Sequence, residues 1–195
     1  MMEITAPTLS GRLVSLEQLR PEDHDDLVEA ATDGQLWNLW YTTVPDAAGM
    51  AAEIERRLAL QEAGSMIPFT VRDSTGRALG MTTYMNIDRE LPRVEIGSTW
   101  NRASAHGTGT NPESKLLLLT HAFEVLECPA VEFRTHWMNH QSREAIERLG
   151  AKLDGVLRSH LRMADGSLRD TAVYSIIATE WPQVRAELVH RLRRH

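Results

Sequence analysis

The strongest constraint on the fold lies in the middle of the chain. An alternating segment, Val94–Trp100, runs into His106-Gly107-Thr108-Gly109-Thr110-Asn111, and a helical stretch, Pro112–Leu126, follows at once. A second strand-and-helix pair, Val131–Thr135 and Gln141–Leu149, comes next. Glycines between a strand and a helix let the backbone take turns that a Cβ forbids. Successive N–H groups at a helix start can then hold an anion without a strong positive charge. An anion-binding loop and an ordinary capped turn both fit this text. Asn111 is placed to cap the helix. Lys115, in the same helix, faces either a phosphate or solvent. The loop lacks the Gly-Lys-Ser/Thr ending of a Walker motif, and no G-x-G-x-x-G joins a first strand to a first helix.

The flanking text predicts an α+β chain, with helices packed around a mixed, largely antiparallel central sheet. Arg12–Leu19 reads as the first strand. Pro21 starts a helix whose Glu22, Asp23 and Asp25 suit its positive end. Pro45 or Asp46 starts a second helix, which stops by Gly64. Ile67–Arg72 and Ala78–Asn86 read as strands. Val156–Met163 and Arg169–Ile177 flank Ala164–Asp165–Gly166–Ser167 as a hairpin, and Glu180–Leu192 is a final helix. Asp33–Thr43 shows no clear period.

With 195 residues, of which 42% are apolar and 25% charged, the chain suits a single domain, 1–195, with a C-terminal helix. No apolar run approaches the roughly 20 residues needed to span a membrane. The single cysteine, Cys128, excludes an intrachain disulfide and reads as a buried thiol. With no basic, apolar leader at the start, a cytoplasmic location is expected and membrane attachment is not. A formal charge of −6 argues against a nucleic-acid partner. The basic run Arg191–Arg194 reads as a solvated helix end.

The glycine loop and its surroundings resemble the acyl-CoA-binding half of a GNAT-type N-acetyltransferase. The stretches HGTGTNPESKLLLLTHAFE, FRTHWMNHQSREAIERLGAKLDGVLR and MADGSLRDTAVYSIIATEWP resemble the RimJ/RimL branch, and together they cover much of residues 94–182. Against the family's Gln/Arg-x-x-Gly-x-Gly/Ala loop, Gly109 matches the central glycine, while His106 and Asn111 depart from the end positions. The resemblance implies acetyl-CoA as acyl donor, direct transfer to an amine in a ternary complex, and central strands that splay around Val94–Thr99 and Val131–Thr135. It implies that His106, Gly107, Thr108, Gly109, Thr110 and Asn111 hold the diphosphate. It implies too that Asn139 meets the cofactor arm, that Ser142 lies near the thioester, and that backbone near Thr135 or His136 polarises the carbonyl. The family's tyrosine acid is replaced here by Ile146, which leaves Ser142 or water beside the sulfur.

Acyl transfer needs a neutral amine, a route for its proton and a stabilised oxyanion. Glu95 is the candidate for the proton route, and it serves either a cleft or solvent. Alternation places Glu95, Gly97 and Thr99 on one face and Val94, Ile96 and Ser98 on the other. Asn139 caps the next helix, alone or together with a cofactor contact. Trp37, Trp40 and Tyr41 line an acceptor pocket or complete a small core. Trp100 and Trp137 extend the cleft or fill the core, and Met81 and Met85 fill core space. Glu132 and His136 are further candidates for acceptor contact. His106, His121, His136 and His140 form no compact ligand set, so no metal is expected. The acceptor is a small-molecule amine or a peptide N-terminus. A CoA-responsive interaction protein without catalysis is the alternative, and a homodimer is possible through the closing hairpin or terminal helix.

Overall fold

The computed structural model describes residues 7–40, 42–163 and 165–194. An eight-stranded sheet runs through it in the order β1-β2-β3-β4-β5-β6-β8-β7. The strands are β1 (Leu9–Ser10), β2 (Val14–Gln18), β3 (Met66–Asp73), β4 (Ala78–Asp88), β5 (Arg93–Asn101), β6 (Ala130–His136), β7 (Lys152–Arg162) and β8 (Leu168–Ile177). All neighbours pair antiparallel except β5 and β6. The helices are α1 (His24–Thr32), α2 (Met50–Glu62), α3 (Thr110–Thr120), α4 (His140–Glu147) and α5 (Trp181–Leu192). The expected α+β architecture, a largely antiparallel sheet flanked by helices, is what the chain forms.

Two apolar clusters sit on opposite faces of the sheet. The larger joins Phe69, Tyr84, Val94, Ile96, Val131 and Phe133 to Leu118 and Leu119 of α3 and Leu188 of α5. The smaller joins Met81 and Trp100 to Leu27 of α1 and Met50 and Ile54 of α2. Burying a large apolar side chain is worth roughly 2 kcal/mol, so these clusters fix which way each strand faces. Cys128 and Ile146 are buried in the larger cluster, as their sequence setting suggests. Burial pushes the Cys128 thiol up to about 11, which keeps it an unreactive thiol.

The helix starts differ in detail. Pro21 opens a 3₁₀ turn, Pro21–Asp23, and α1 follows it. Asp23 does more than favour a helix end: its carboxylate accepts from Thr70 Oγ1 at 2.5 Å and pairs with Arg72 at 2.6 Å, pinning α1 to β3. The second helix starts at Met50, four residues after Asp46. There Asp46 Oδ1 accepts the Gly49 N–H at 2.8 Å and holds an open turn before the helix. The helix α3 begins at Thr110 with Gly109 at its cap position, so Asn111 lies inside its first turn and does not cap it. Gly109 has φ +86°, a conformation open to glycine and costly for most residues. After Thr120 the helix continues as a single π turn, His121–Val125, and there His121 stacks on Tyr84.

Candidate active site

The site begins where the sheet comes apart. Strands β5 and β6 pair at only three registers, Arg93↔Ala130, Val94↔Val131 and Glu95↔Glu132. Beyond Glu95 each strand stays laddered to its outer neighbour but not to the other. β6 pairs with β8 over seven registers as far as His136↔Thr171. β5 remains paired with β4 as far as Asn101. The splay expected near Val94–Thr99 and Val131–Thr135 is therefore present. The two strands leave unpaired backbone groups on the facing sides of a wedge.

β5 also carries a bulge at the wedge. Thr83 pairs with Gly97 and Met81 with Trp100, so the single residue Thr82 faces both Ser98 and Thr99. Ser98 takes φ +46° to make the extra step. This overturns the simple alternation. Glu95 and Thr99 stand on opposite faces, because the inserted residue reverses the pattern after Gly97. Trp100 is likewise turned into the α1/α2 cluster and does not line the cleft.

Two buried cations hold the bulge from opposite sides of the sheet. From α2, Arg57 donates through Nη2 to the Ser98 carbonyl at 3.2 Å while its Nε pairs with Glu53 at 2.7 Å. From α3, Lys115 Nζ donates to Thr99 Oγ1 at 2.8 Å and to Thr82 Oγ1 at 3.3 Å. Lys115 is 6% exposed. It faces neither phosphate nor solvent. Burial without a neighbouring carboxylate pushes its ammonium down to about 7.

Glu95 sits at the last paired rung, 5% exposed. Its Oε2 accepts from Asn86 Nδ2 at 2.6 Å, and Arg134 Nε lies 3.6 Å away. Burial raises its carboxyl above the usual range, and Glu132 adds to the rise, while Asn86, Arg134 and Arg169 oppose it. Gly97 leaves the space that this carboxylate occupies, since a Cβ there would stand 2.9 Å from Glu95 Oε1. The solvent-facing alternative for Glu95 is thus excluded. Glu132, across the rung, is held by Arg93 at 2.9 Å and by Arg134.

His136 ends β6, beyond the last rung that β6 shares with β5. Its Nδ1 accepts the Met138 N–H at 3.0 Å, so the ring proton resides on Nε2. Burial, then the charge of Arg169, lowers its pKa and keeps the ring neutral. In that tautomer the ring donates from Nε2, which suits holding an oxygen and not taking a proton. Trp40 packs against it edge-on, with ring centroids 5.4 Å apart. The Trp37 side chain lies at the surface, 36% exposed. Tyr41, the third aromatic candidate of that segment, lies outside the described residues. Trp137 stacks beneath the Arg143 guanidinium, 3.7 Å from the ring centroid.

The glycine loop lies past the end of β5. Thr108 and Thr110 turn their hydroxyls back onto the Ala105 carbonyl at 2.7 and 3.2 Å, and His106 Nε2 lies 3.2 Å from the Asn101 carbonyl. These bonds order the loop from inside. The N–H groups of Thr110 and Asn111, in the first turn of α3, have no acceptor within the helix. Gly107 takes φ +77° with open space where a Cβ would be, which leaves its backbone accessible. Glu113 ties the first turn of α3 to the start of β2, accepting the N–H groups of Arg12, Leu13 and Val14 at 3.1, 2.5 and 2.8 Å. At the other wall, Asn139 Oδ1 accepts the Ser142 N–H at 3.0 Å, so Asn139 caps α4 as its sequence position suggests. Among the described residues no group of His, Cys, Asp and Glu could hold a metal ion. No described helix is long and apolar enough to cross a membrane.

The wedge, the bulge and the loop at a helix start match what a backbone-held acyl-CoA requires, and comparison with known proteins agrees. The acetyltransferase (GNAT) domain family matches residues 13–152. The chain belongs to the GNAT acetyltransferase family. A provisionally named acetyltransferase from T. thermophilus is 32% identical, with a TM-score of 0.85 over 98% of this chain and 100% of that one. A GCN5-related N-acetyltransferase from Brucella melitensis is 26% identical, with a TM-score of 0.86 over 97% of this chain and 86% of that one. YdaF of Bacillus subtilis (strain 168), provisionally named a ribosomal N-acetyltransferase, is 32% identical over 106 residues, which is 54% of this chain and 57% of YdaF. The match thus spans little more than half of that curated relative. Family and fold together support acetyl-CoA-dependent acetyl transfer as the general chemistry of this GNAT chain.

Several residues of the site carry no signal in a single sequence. Arg57 reads as a helix-surface residue, and Asn86 as the end of a strand. The parity of β8 could have found Arg169, because the hairpin fixes its face two residues from Thr171.

Proposed function

We propose that this GNAT chain transfers the acetyl group of acetyl-CoA directly to a primary amine, on a small molecule or at a peptide N-terminus. The observation that carries this reading is Glu95: a buried carboxylate, raised above its usual range, at the point where β5 and β6 part. A carboxyl so placed titrates closer to neutrality and suits a base for an ammonium. Glu95 takes the amine proton, directly or through a water. The amine nitrogen bonds the acyl carbon as the carbon–sulfur bond breaks. Backbone N–H groups near Thr135 and His136 steady the developing oxyanion. Ser142, at the entrance of α4, steadies the departing thiolate, which takes up the second proton that the nitrogen loses on becoming an amide, directly or through a water.

The donor side is assigned to His106, Gly107, Thr108, Gly109, Thr110 and Asn111 for the diphosphate, and to Asn139 and Ser142 for the arm and thioester. Its N–H groups need no cation, which fits a loop without a facing lysine. The acceptor side is assigned to Trp37, Trp40, Glu132 and His136. The name of YdaF, a ribosomal N-acetyltransferase, favours an amine of a ribosomal component as one acceptor. A cytoplasmic location belongs to the same reading. So does a homodimer, for which the long edge strand β7, with Leu153, Leu157 and Leu161 exposed, offers a surface.

The test is intact mass spectrometry of an amine and peptide panel incubated with acetyl-CoA, beside enzyme-free controls. A product heavier by one acetyl group, with release of CoA thiol, is the expected result. Its loss in Glu95→Gln ties the chemistry to this carboxylate. Tight CoA binding with no product from any amine overturns the reading.

A further inference from the structure

Arg93, Arg134 and Arg169 all lie on the face of the sheet that holds Glu95. The first two are occupied: Arg93 pairs with Glu132 at 2.9 Å, and Arg134 pairs with Glu132 as well. Arg169 is different. The register of β6 with β8 is unbroken from Ala130↔Ile177 to His136↔Thr171. Side chains two apart on a strand share a face, so Arg169 lies with Thr171, His136, Arg134 and Glu132. Ala172, Tyr174 and Ile176, of the other parity, are fully buried in the larger core. Arg169 lies within electrostatic reach of both Glu95 and His136. Among the described residues it forms no ion pair within 4.0 Å, and its Nε is buried with no hydrogen-bond partner.

A buried donor without an acceptor is costly, and native folds keep few of them. One on the same face as the candidate base, and within its electrostatic reach, is an open binding valence. The planar guanidinium fits one complement best, a carboxylate that accepts two parallel N–H bonds. The acceptor amine must reach Glu95, so a carboxylate meeting Arg169 belongs to the same molecule.

We propose that Arg169 is a specificity-determining residue that binds a carboxylate carried by the amine acceptor. This rests on the acetyl-transfer reading above. The carboxylate is either the α-carboxylate of a free amino acid or the acidic side chain of a peptide's first residue.

The experiment compares matched pairs: alanine against alaninamide for the first source, and C-amidated peptides beginning with Asp against Asn for the second. For each, kcat/KM is measured with acetyl-CoA in the wild type, Arg169→Gln and Arg169→Lys. Calorimetric titration of the same compounds into the CoA-loaded protein supplies a readout without turnover. The expected result is a wild-type preference for the carboxylate member of one pair. That preference falls by about tenfold to hundredfold in Arg169→Gln and less in Arg169→Lys, which keeps the charge but not the fork. Equal losses on both members of each pair overturn the inference and leave Arg169 as a counter-ion of Glu95. A wild type that prefers neither carboxylate also overturns it. If no compound is acetylated, acetyl transfer fails by itself. The titration then decides the ligand class, upheld by Arg169-dependent carboxylate binding and overturned without it.

Discussion

Lys115 Nζ lies 2.8 Å from Thr99 Oγ1, inside the fold, with a threonine where a buried ammonium usually finds a carboxylate. The bond ties α3, which carries the glycine loop, to the strand that carries Glu95. The two halves of the candidate site are therefore coupled through one side chain. The charge state of that side chain gives the first prediction.

Burial lowers the Lys115 pKa from 10.5 to about 7 in the folded chain. Between those values the unfolded chain holds a proton that the folded chain has lost, so stability rises with pH across that window. Below it both states are protonated and the cost of the buried charge is fully present. Melting temperature should climb from pH 7 toward 10 in the wild type, relative to Lys115→Met. Parallel curves for the two proteins across that range would falsify the assignment.

Arg57 is the opposing clamp on the bulge, and its loss leaves the Ser98 carbonyl without its donor, while Glu53 keeps Arg56 at 2.7 Å. Arg57→Met is expected to cost about 1–2 kcal/mol in denaturant unfolding, from the carbonyl left without a donor. If the bulge shapes the donor wall, the surviving enzyme also shows a raised KM for acetyl-CoA with a smaller change in acceptor KM. An unchanged acetyl-CoA KM would show that the bulge keeps its form without Arg57.

On the proposed role, Glu95 must be ionised to take the proton, so kcat/KM should rise with pH through its raised carboxyl and then level off. Glu95→Gln should lower kcat by about a hundredfold to ten-thousandfold. Asn86 favours the ionised form through its 2.6 Å hydrogen bond. Asn86→Ala should therefore move the acid limb of the profile to higher pH and leave the plateau nearer the wild type. A limb that stays in place, or moves to lower pH, counts against Glu95 as the titrating group.

Two helix starts give a graded test of the donor side. Gly109→Ala forces a Cβ onto φ +86°, at a cost of about 1 kcal/mol. Asn139→Ala removes the cap on the Ser142 amide, again about 1 kcal/mol. Both should raise KM for acetyl-CoA beyond what the stability loss explains, as read by steady-state kinetics beside thermal melts. Stability losses with unaltered KM would leave both residues as structure alone.

Much of this was legible in the sequence, and the failures share a cause. Strand-and-turn punctuation located every long element, and Asn139 read correctly as a cap because its signal is local. Glu95 was visible as a carboxylate on an apolar strand, but its burial depends on Asn86 and Gly97, which meet it only through pairing with β4 and the turn of β5. The bulge at Ser98 was invisible, since one inserted residue leaves no mark in a pattern of period two. It misplaced Thr99, whereas Trp100 took the core alternative of its reading. Lys115 was misread for the same reason: its partners, Thr82 and Thr99, lie on strands that a helical wheel cannot see. Asn111 lost the cap position to Gly109 because the turn's left-handed residue, not its polar one, decides where α3 begins.

The three-rung seam between β5 and β6 has a mechanical consequence. Most clefts are walled by loops, and their width can drift with loop motion. Here both walls are strands, each sewn along its far side to another strand and backed by packed side chains. The angle of the opening is thus a property of the core. Trimming Val131 or Phe133, both buried in the larger cluster, would let the walls relax toward each other. A substitution deep in this core can therefore change the width of the wedge without touching anything that lines it.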